Sequence, residues 1–414
     1  MAIMHLKKLV VATGVALMST WTCGAGISDD VVRIGVLTDM SGVYADVGGK
    51  GAVTAAQMAA KDFGGKVLGK RIEIISADHK NELDDAMAIA KTWDLQRPRV
   101  DMVTELMNSQ VAIGVSKYFS ERGVVSIKTG ASTSALTNDA CSRLAVDWVY
   151  DAYAASHGLL KELIADGVKS FSVMATDYGD KTDKATANDI FLAAMAARKA
   201  GGKVYAPFVK TPPSNVDFTP YLLKMQESGA QGMVFAVAGG DFVNAVKQAR
   251  EFGLFGPEQE LIGMVVFDSD VKALGLDVAQ GMKFIAGFYW DRDNETREFA
   301  KRFFALTKKM PTSSQAGVYS GVLHYLRGVQ AAGTDEGNAV MDKMRATKIN
   351  DFFAKDGYIR EDGRMMHDMY LMEVKKPLES KGEAQWDLLR IKRALKADNV
   401  FKPLAQSTCP LVKK

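Results

Sequence analysis

From Val31 onward, the chain alternates short apolar runs with longer amphipathic segments, and no other feature constrains its fold as strongly. Apolar runs that alternate with helical patterns are typical of βαβ units, in which the strands of a sheet lie parallel. The first runs of this kind are Val31 to Leu37, Arg71 to Ser76, Val100 to Glu105 and Val124 to Ile127. The sequence therefore predicts an α/β fold, in which ligands bind beyond the carboxyl ends of the strands.

A second series of the same kind begins after Trp148. Its strands are predicted at Ser170 to Ala175, Val204 to Phe208, Gly232 to Val237, Leu261 to Val266 and Met282 to Gly287. A chain of 414 residues is long for one hydrophobic core, since a domain typically has about 100 to 200 residues. The helices predicted within 295–346 and the strands within 369–391 are too few for a third core. We therefore expect two α/β lobes that share these C-terminal segments.

The stretch VVSIKTGASTSALT, residues 124–137, ends its apolar run in a loop of small and hydroxyl-bearing residues. The residues expected to form a site there are Thr129, Gly130, Ala131, Ser132 and Thr133. Because this loop follows a predicted strand and contains no carboxylate, its backbone NH groups and hydroxyls suit an anion, most plainly a small carboxylate. An ordinary solvated turn would have the same composition, and the sequence leaves that alternative open.

Polar and aromatic residues follow the other predicted strands at the corresponding ends. In the first lobe these are Ser41, Tyr44, Asn108 and Ser109, and in the second they are Tyr178, Asp241, Phe267 and Asp268. Facing rims of this kind form a cleft between lobes, where small ligands commonly bind. Tyr150 and Tyr178 are predicted to face the ligand, because a tyrosine offers a stacking surface and a polar tip. Trp148, Phe288 and Trp290 are expected to pack in the hinge.

The first residues have the pattern of a secretory signal peptide. Lys7 and Lys8 precede an apolar run, Leu9 to Ser19, and small residues follow up to a cleavage site predicted near Ala25. Lipid attachment at Cys23 is an alternative, but Thr20 to Thr22 form a poor context for it. The expected location of the mature protein is the periplasm.

Export leaves two cysteines, Cys141 and Cys409, in an oxidising compartment, where an even number predicts a disulfide. Two buried free thiols are the alternative. Processing also removes Lys7 and Lys8 from a formal net charge of +3, which leaves +1. This near-neutral balance gives no support for nucleic acid or an anionic membrane surface as a partner.

Sequence patterns typical of enzymes are not found. The chain has no phosphate-binding loop of the form GxxxxGK followed by Ser or Thr, no GxSxG nucleophile elbow and no HExxH metal helix. Residues 47–51, VGGKG, lie between a predicted strand and a predicted helix but lack the GxGxxG spacing of a dinucleotide site. His79, His157, His324 and His367 have no ligand spacing. We therefore predict no catalysis, no cofactor and no metal.

Four segments, in their order along the chain, resemble one known family. They are RIGVLTDMSGVYADVGG at 33–49, GASTSALT at 130–137, TDYGD at 176–180 and AGVYSGVLHYLRGVQAAGT at 316–334. The chain resembles the type I extracytoplasmic solute-binding proteins of ABC transporters, similar to the leucine/isoleucine/valine-binding proteins. The resemblance implies two Rossmann-like lobes joined by three crossovers, which close on a ligand as a monomer and then dock on a membrane permease.

The resemblance also assigns each part of the chain to a lobe. It implies a first lobe at 28–147 and 286–365, a second at 148–285 and 366–395, and a tail at 396–414 that returns to the first.

The same resemblance implies roles for the cleft residues. In this family the carboxylate of the ligand is held by loops that match Asn108 with Ser109 and Gly130 to Thr133. The ammonium group is held by a tyrosine after a GG pair, which matches Asp241, and by a glutamate at a strand end, which matches Val265 or Val266. The expected ligand is therefore a carboxylic acid without an α-amino group.

The chain also resembles the branch of this family that takes up aromatic acids such as benzoates and phenylpropanoids, and aromatic residues near the hinge suit such a ring. Two alternatives stay open. An amino acid could pair its ammonium group with Asp241 or Asp268. Proteins of this fold also act as ligand-sensing receptor modules.

Overall fold

The structure is a computed structural model that describes residues 26–177, 184–253, 256, 259–382, 384 and 386–413. The predicted signal peptide, residues 1–25, and Tyr178 lie outside the described residues. Within the described part of the chain, no helix is both long enough and apolar enough to cross a bilayer.

The first sheet is built from the N-terminal third of the chain. Its strands are β1 (Val31–Thr38), β2 (Lys66–Val67), β3 (Lys70–Asp78), β4 (Met102–Glu105), β5 (Val125–Lys128) and β6 (Ala145–Asp147). Its helices are α1 (Gly49–Asp62), α2 (Leu83–Leu95) and α3 (Ser109–Ser120). The strand order is β2-β3-β1-β4-β5-β6, and β2 alone of these pairs antiparallel. The predicted parallel α/β fold is therefore confirmed. The sequence predicts β5 as the fourth strand, whereas it is the fifth, because the two-residue β2 has no apolar run of its own and is not predicted.

The second sheet repeats this pattern. Its elements are α4 (Leu159–Ala165), β7 (Ser170–Thr176), α5 (Lys184–Lys199), β8 (Lys203–Val204), β9 (Val209–Thr211), α6 (Thr219–Glu227), β10 (Gly232–Ala236), α7 (Gly239–Glu251), β11 (Glu260–Gly263), α8 (Asp268–Leu274), α9 (Leu276–Ala279) and β12 (Lys283–Ala286). The order β12-β11-β10-β7-β8 is parallel, and β9 also pairs with β7. The single strand predicted at 204–208 is therefore wrong. Pro207 interrupts it, since a proline has no NH to donate to the ladder.

The C-terminal segments are shared between the two sheets. They are α10 (Asn294–Thr307), α11 (Ser313–Ala332), α12 (Gly337–Ala346), β13 (Tyr358–Ile359), β14 (Met365–Met366), β15 (Met369–Val374), β16 (Leu389–Leu395) and α13 (Ala397–Val400). Helix α11 packs on α1 and β4 of the first sheet. Strands β15 and β16 extend the second sheet in antiparallel fashion beyond β12. The chain thus passes from the first sheet to the second after β6, back after β12, and again to the second before β15.

Helices cover both faces of the first sheet. On one face, Trp93 of α2 and Phe119 of α3 are buried against the strands. The ring of Trp93 lies so close to Gly35 of β1 that a Cβ there would come within 3.0 Å of it. Helix α11 covers the other face and has defined ends: Thr312 and Gln315 form a capping box at its start, and Gly333 ends it in a left-handed conformation.

A buried ion pair holds the first crossing between the sheets. Arg364 donates through Nη1 to Oδ2 of Asp147 at 2.7 Å and lies 3.5 Å from Oδ2 of Asp151. Nearby, Nε2 of His367 lies 2.7 Å from the carbonyl oxygen of Val149. The segments that begin at Asp147 and Arg364 therefore run side by side through the hinge.

The predicted disulfide is confirmed. Cys141 and Cys409 are bonded, with Cα atoms 5.7 Å apart and a separation of 268 residues in sequence. Ser407 and Thr408 add hydrogen bonds from the tail to Thr137, Asn138 and Asp139. The tail after β16 is thus fixed to the segment 137–141, between β5 and β6.

The Arg364 pair yields a prediction on stability. Replacing Arg364 with Met leaves two buried carboxylates without their cation, and we expect the free energy of unfolding to fall by about 3 to 5 kcal/mol. Urea unfolding measures this. Arg393→Met is the control, because Arg393 pairs with Glu162 and Asp166 at an exposed position and its loss should change the midpoint little. Equal midpoints for the two variants would contradict the prediction.

Removal of the disulfide yields a second prediction. A Cys141→Ser, Cys409→Ser double variant should lose about 2 to 5 kcal/mol of stability, because the bond closes a long loop of the unfolded chain. Thermal unfolding of the variant and of wild-type protein in reductant should give the same lowered midpoint. An unchanged midpoint in both samples would show that the crosslink does not stabilise the fold.

Candidate ligand-binding cleft

The hydroxyl-rich loop lies at the carboxyl end of β5, as predicted. The backbone NH groups of Thr129 and Gly130 donate to the carbonyl oxygen of Glu105 at 3.1 and 3.3 Å. The hydroxyl of Thr129 lies 3.3 Å from that of Ser314, in the first turn of α11. Ala131 is buried and Ser132 is half-buried. The loop is therefore packed between β4 and α11 and is not a free surface turn.

The end of this loop joins the hinge and begins a helical turn. The carbonyl oxygen of Ser132 accepts a bond from the NH of Ala152 at 2.6 Å. The side chain of Thr133, which is buried, accepts a bond from the NH of Ala135 at 3.2 Å and starts the turn Ser134–Thr137. The loop and the crossing segment are thus held together by backbone contacts.

Asn108 and Ser109 lie at the start of helix α3. Oδ1 of Asn108 accepts bonds from the NH groups of Gln110 and Val111 at 2.8 and 3.4 Å. Its Nδ2 donates to Oδ1 of Asn81 at 2.7 Å. Because both ends of the amide are engaged within the protein, Asn108 positions the loop as a helix cap, and Ser109, which is half-buried, follows it on the rim.

The loop after β1 bridges the two rims. Its turn is held by Asp39, whose carboxylate accepts bonds from the NH groups of Gly42 and Tyr44 at 2.7 and 3.1 Å. A Cβ at Gly239, the first residue of α7, would lie 3.4 Å from Cε1 of Tyr44. Tyr44 is therefore in contact with the second lobe. Ser41, in contrast, is exposed and donates to Asp78 at 2.7 Å, away from that contact.

The second rim contributes two carboxylates and an aromatic ring. Asp241 is half-buried in the first turn of α7, where it accepts a bond from the NH of Ser214 at 2.8 Å. Burial raises its pKa. Phe267 and Asp268 are both buried at the start of α8, and burial raises the pKa of Asp268 to about 7. These three residues thus lie at strand ends, as predicted.

Tyr150 connects the two rims. Its hydroxyl donates to the carbonyl oxygen of Gly130 at 2.6 Å, and its ring meets that of Phe267 edge to face with centroids 5.9 Å apart. A narrow pocket opens beside this pair. It is lined by Tyr150, Ala155, Met264, Val265, Val266, Phe267, Ile285, Ala286, Gly287, Ser313 and Met369. The lining is apolar except for the hydroxyls of Tyr150 and Ser313, and burial raises the pKa of Tyr150.

Glu105 is a residue of this region that the sequence interpretation did not assign to the site. Its side chain is fully buried at the end of β4. Oε2 accepts a bond from the NH of Met107 at 2.9 Å, and Oε1 lies 3.4 Å from the hydroxyl of Ser314. The sequence offered one indication of this role, because Glu105 is a lone acidic residue that ends an apolar strand just before a predicted binding loop.

Histidines and acidic residues do not gather into a metal site. Among the described residues, no group of three or more His, Cys, Asp or Glu side chains is placed to hold an ion. Trp148 packs on His324 with ring centroids 5.7 Å apart, and His157 stacks on Tyr153 at 4.0 Å.

The fold agrees with the comparisons to known proteins. The chain belongs to the periplasmic binding protein family, whose sequence model matches residues 31–383. It is a periplasmic solute-binding protein of the ABC transporter class, whose members bind a small molecule, interact with membrane permeases and do not act as enzymes.

Three solved structures illustrate the likeness. A periplasmic binding protein from Burkholderia mallei is 41% identical, with 93% of this chain and 100% of that chain covered and a TM-score of 0.87. A branched-chain amino acid ABC transporter ligand-binding protein from Burkholderia xenovorans is 35% identical, with 92% and 99% covered and a TM-score of 0.82. A solute-binding protein from Rhodopseudomonas palustris in complex with 3,4-dihydroxybenzoic acid shares the fold at 22% identity, with 89% and 98% covered and a TM-score of 0.79.

The packing of Gly130 yields a prediction. A Cβ at this position would come within 3.0 Å of the Glu105 carboxyl and of Met107, both of which are buried. We expect Gly130→Ala to lower stability by about 1 to 3 kcal/mol. Gly256→Ala is the control, because its Cβ would meet only Gln259, at 3.8 Å. Equal thermal midpoints for both variants would contradict the close packing of the loop on Glu105.

Proposed function

We propose that this protein binds an aromatic carboxylic acid, of the benzoate or phenylpropanoid type, in the cleft between its lobes and delivers it to the permease of an ABC transporter. The acid group would rest on the loop 129–133, chiefly on the NH groups of residues 131–133, because those of Thr129 and Gly130 already donate to the carbonyl oxygen of Glu105. The ring would lie against Tyr150 and Phe267. The observation that supports this most directly is the bond from Tyr150 to Gly130, which sets an aromatic wall beside the anion-suited loop.

The second rim supports an acid without an ammonium group. Val265 and Val266, which occupy the place where the resemblance puts a glutamate, line the apolar pocket. Asp241 already accepts a bond from the NH of Ser214. The Rhodopseudomonas palustris structure illustrates that this fold accommodates an aromatic acid, although its low identity transfers no ligand to this chain.

A branched-chain amino acid is the second candidate, and the likeness to the branched-chain amino acid transporter protein from Burkholderia xenovorans favours it. Asp268 supplies a buried carboxylate next to the pocket residue Phe267, and an ammonium group would be a natural partner for it.

A role as a ligand-sensing receptor module is the third candidate function. A deletion strain supplied with the identified ligand in labelled form distinguishes import from sensing. Only loss of an importer lowers uptake of the labelled compound itself.

The proposal includes export and closure. Residues 1–25 would direct the chain to the periplasm and be removed near Ala25, and the mature protein would act as a monomer.

The first lobe would comprise 28–147 and 286–365, and the second would comprise 148–285 and 366–395. The tail at 396–414 would lie on the first lobe. The sheet membership of the strands supports this division.

Calorimetric titration tests the ligand class. Protein freed of bound ligand by unfolding and refolding is titrated with benzoate, 4-hydroxybenzoate, cinnamate, leucine and isoleucine. We expect an aromatic acid to bind far more tightly than either amino acid. Tyr150→Phe should weaken that binding by about tenfold or less, the usual contribution of one hydrogen bond.

The control is Tyr358→Phe, which changes an exposed tyrosine on β13 and should leave affinity unchanged. Binding of leucine without any aromatic acid would overturn the proposed ligand class and support the amino-acid alternative.

A further inference from the structure

The carboxyl group of Glu105 lies where three loops of the first rim meet. A Cβ at Gly130, in the loop after β5, or at Gly48, in the loop after β1, would come within 3.0 Å of its Oε1. Its Oε2 accepts the bond from the NH of Met107, in the loop after β4. Only glycine at the first two positions leaves room for this carboxyl group, so one side chain sets the spacing of the three loops.

The loop after β4 is strained, and Glu105 helps to hold it. Glu105, Leu106 and Asn108 have φ values of 79°, 54° and 82°, in the left-handed region that non-glycine residues rarely adopt. Such conformations persist only where surrounding contacts enforce them, and they cluster at ligand-binding sites. Here the contacts are the Met107 bond and the Asn108 cap. This strained turn presents Asn108 and Ser109 to the cleft.

Within the described part of the chain, no cation is among the main groups that shift the pKa of Glu105. Lys128, its register partner on β5, lies instead in the field of Asp147 and Arg364. The hydroxyls of Thr38 and Ser314 and the NH of Met107 bond to its carboxyl group, and its titratable neighbours are Asp39 and Tyr150. Burial, and to a lesser extent the charge of Asp39, raise the pKa of Glu105 to about 7, while the three hydrogen bonds oppose that shift.

We propose that Glu105 is a positioning residue that spaces the three cleft loops and that it does so as a neutral acid when a carboxylate ligand is bound. This inference rests on the proposed function, in which an anion lies on residues 129–133. An ionised Glu105 directly behind Gly130 would repel that anion through a water-poor interior, where charges interact strongly. Ligand binding and protonation of Glu105 therefore favour each other.

The sign of the pH dependence follows from this coupling. Below pH 7 Glu105 already carries its proton, and affinity for a carboxylate is highest. Above pH 7 the proton must be taken up on binding, so affinity should fall, by up to about tenfold per pH unit. Benzoate itself stays ionised over this range and does not contribute.

Calorimetric titration with benzoate at pH 6, 7 and 8 in phosphate measures affinity. A second titration at pH 8 in Tris, which has a different ionisation enthalpy, gives the number of protons taken up. The ligand 4-hydroxybenzoate replaces benzoate should the latter not bind. Wild-type protein should bind more weakly at pH 8 than at pH 6, with proton uptake at pH 8. Glu105→Gln keeps the shape of the side chain without its charge, and we expect it to bind with a flatter pH profile and reduced proton uptake.

Two variants serve as controls. Asp101 is a second buried carboxyl, at the other end of β4, where it accepts a bond from the NH of Arg33 at 2.7 Å. Asp101→Asn should lower stability but leave the pH profile of binding unchanged. Asp268 and Asp270 also have pKa values raised to about 7 by burial. Asp270→Asn should retain the wild-type proton uptake. Should Glu105→Gln fail to fold, the pH profile of the wild-type protein still tests the inference.

Failure of this inference can be told apart from failure of the proposed function. Binding of a carboxylate by wild-type protein with no pH dependence, or a wild-type profile in Glu105→Gln, overturns the role of Glu105. Loss of proton uptake in Asp270→Asn overturns it as well. Absence of binding of every carboxylate at every pH refutes the proposed function itself.

Discussion

The rest of the structure depends on the buried ion pair between Arg364 and Asp147, because it fixes the place where the chain leaves the first sheet. Charges of this kind cost free energy to bury and are tolerated only when they are paired. Arg364 contacts both Asp147 and Asp151 and lies over the ring of Phe401, with 4.6 Å from its guanidinium carbon to the ring centroid. The pair therefore joins β6, the crossing segment, the hairpin β13–β14 and the tail at one point.

The crossing segment also builds the cleft. Five residues, 147–151, contain two carboxylates of the ion-pair network and Tyr150, which bonds to Gly130. On the neighbouring strand, Lys128 is buried in the field of Asp147, and burial lowers its pKa to about 7. The residues directly after Lys128 form the hydroxyl-rich loop. Hinge and cleft are thus one continuous packed unit.

The sequence allowed the fold and much of the cleft rim to be predicted, because both follow from local patterns. Apolar runs mark strands, strand ends mark a rim, and an even number of cysteines in an exported chain marks a disulfide. The features that the sequence could not reveal depend on contacts between distant segments. The strand β2 forms only because β3 is there to pair with it. Glu105 becomes a central residue only because Gly48, Gly130 and Ser314 converge on it from three separate elements.

Asn108 illustrates the same limit at the level of one residue. The sequence predicts a ligand-binding role for it, whereas in the structure its side chain is fully engaged in the cap of α3. Sequence spacing cannot distinguish the two roles, since both place the residue at a strand end before a helix. Asn108 therefore shapes the rim by positioning the backbone at the start of α3 and Ser109, which follows it.

The acidic residues around the cleft bear on selectivity between acids and amino acids. An α-ammonium group in a buried site needs a partner that is reliably charged, or its desolvation is not offset. Glu105 and Asp268 are both buried with pKa values raised to about 7, so neither is a fixed anion at neutral pH. A neutral acid can still donate a hydrogen bond to a carboxylate, as an ionised one cannot. The same burial that weakens these groups as partners for an ammonium thus makes them compatible with an anionic ligand, and this adds to the argument from Val265 and Val266, which line the pocket where the resemblance puts a glutamate.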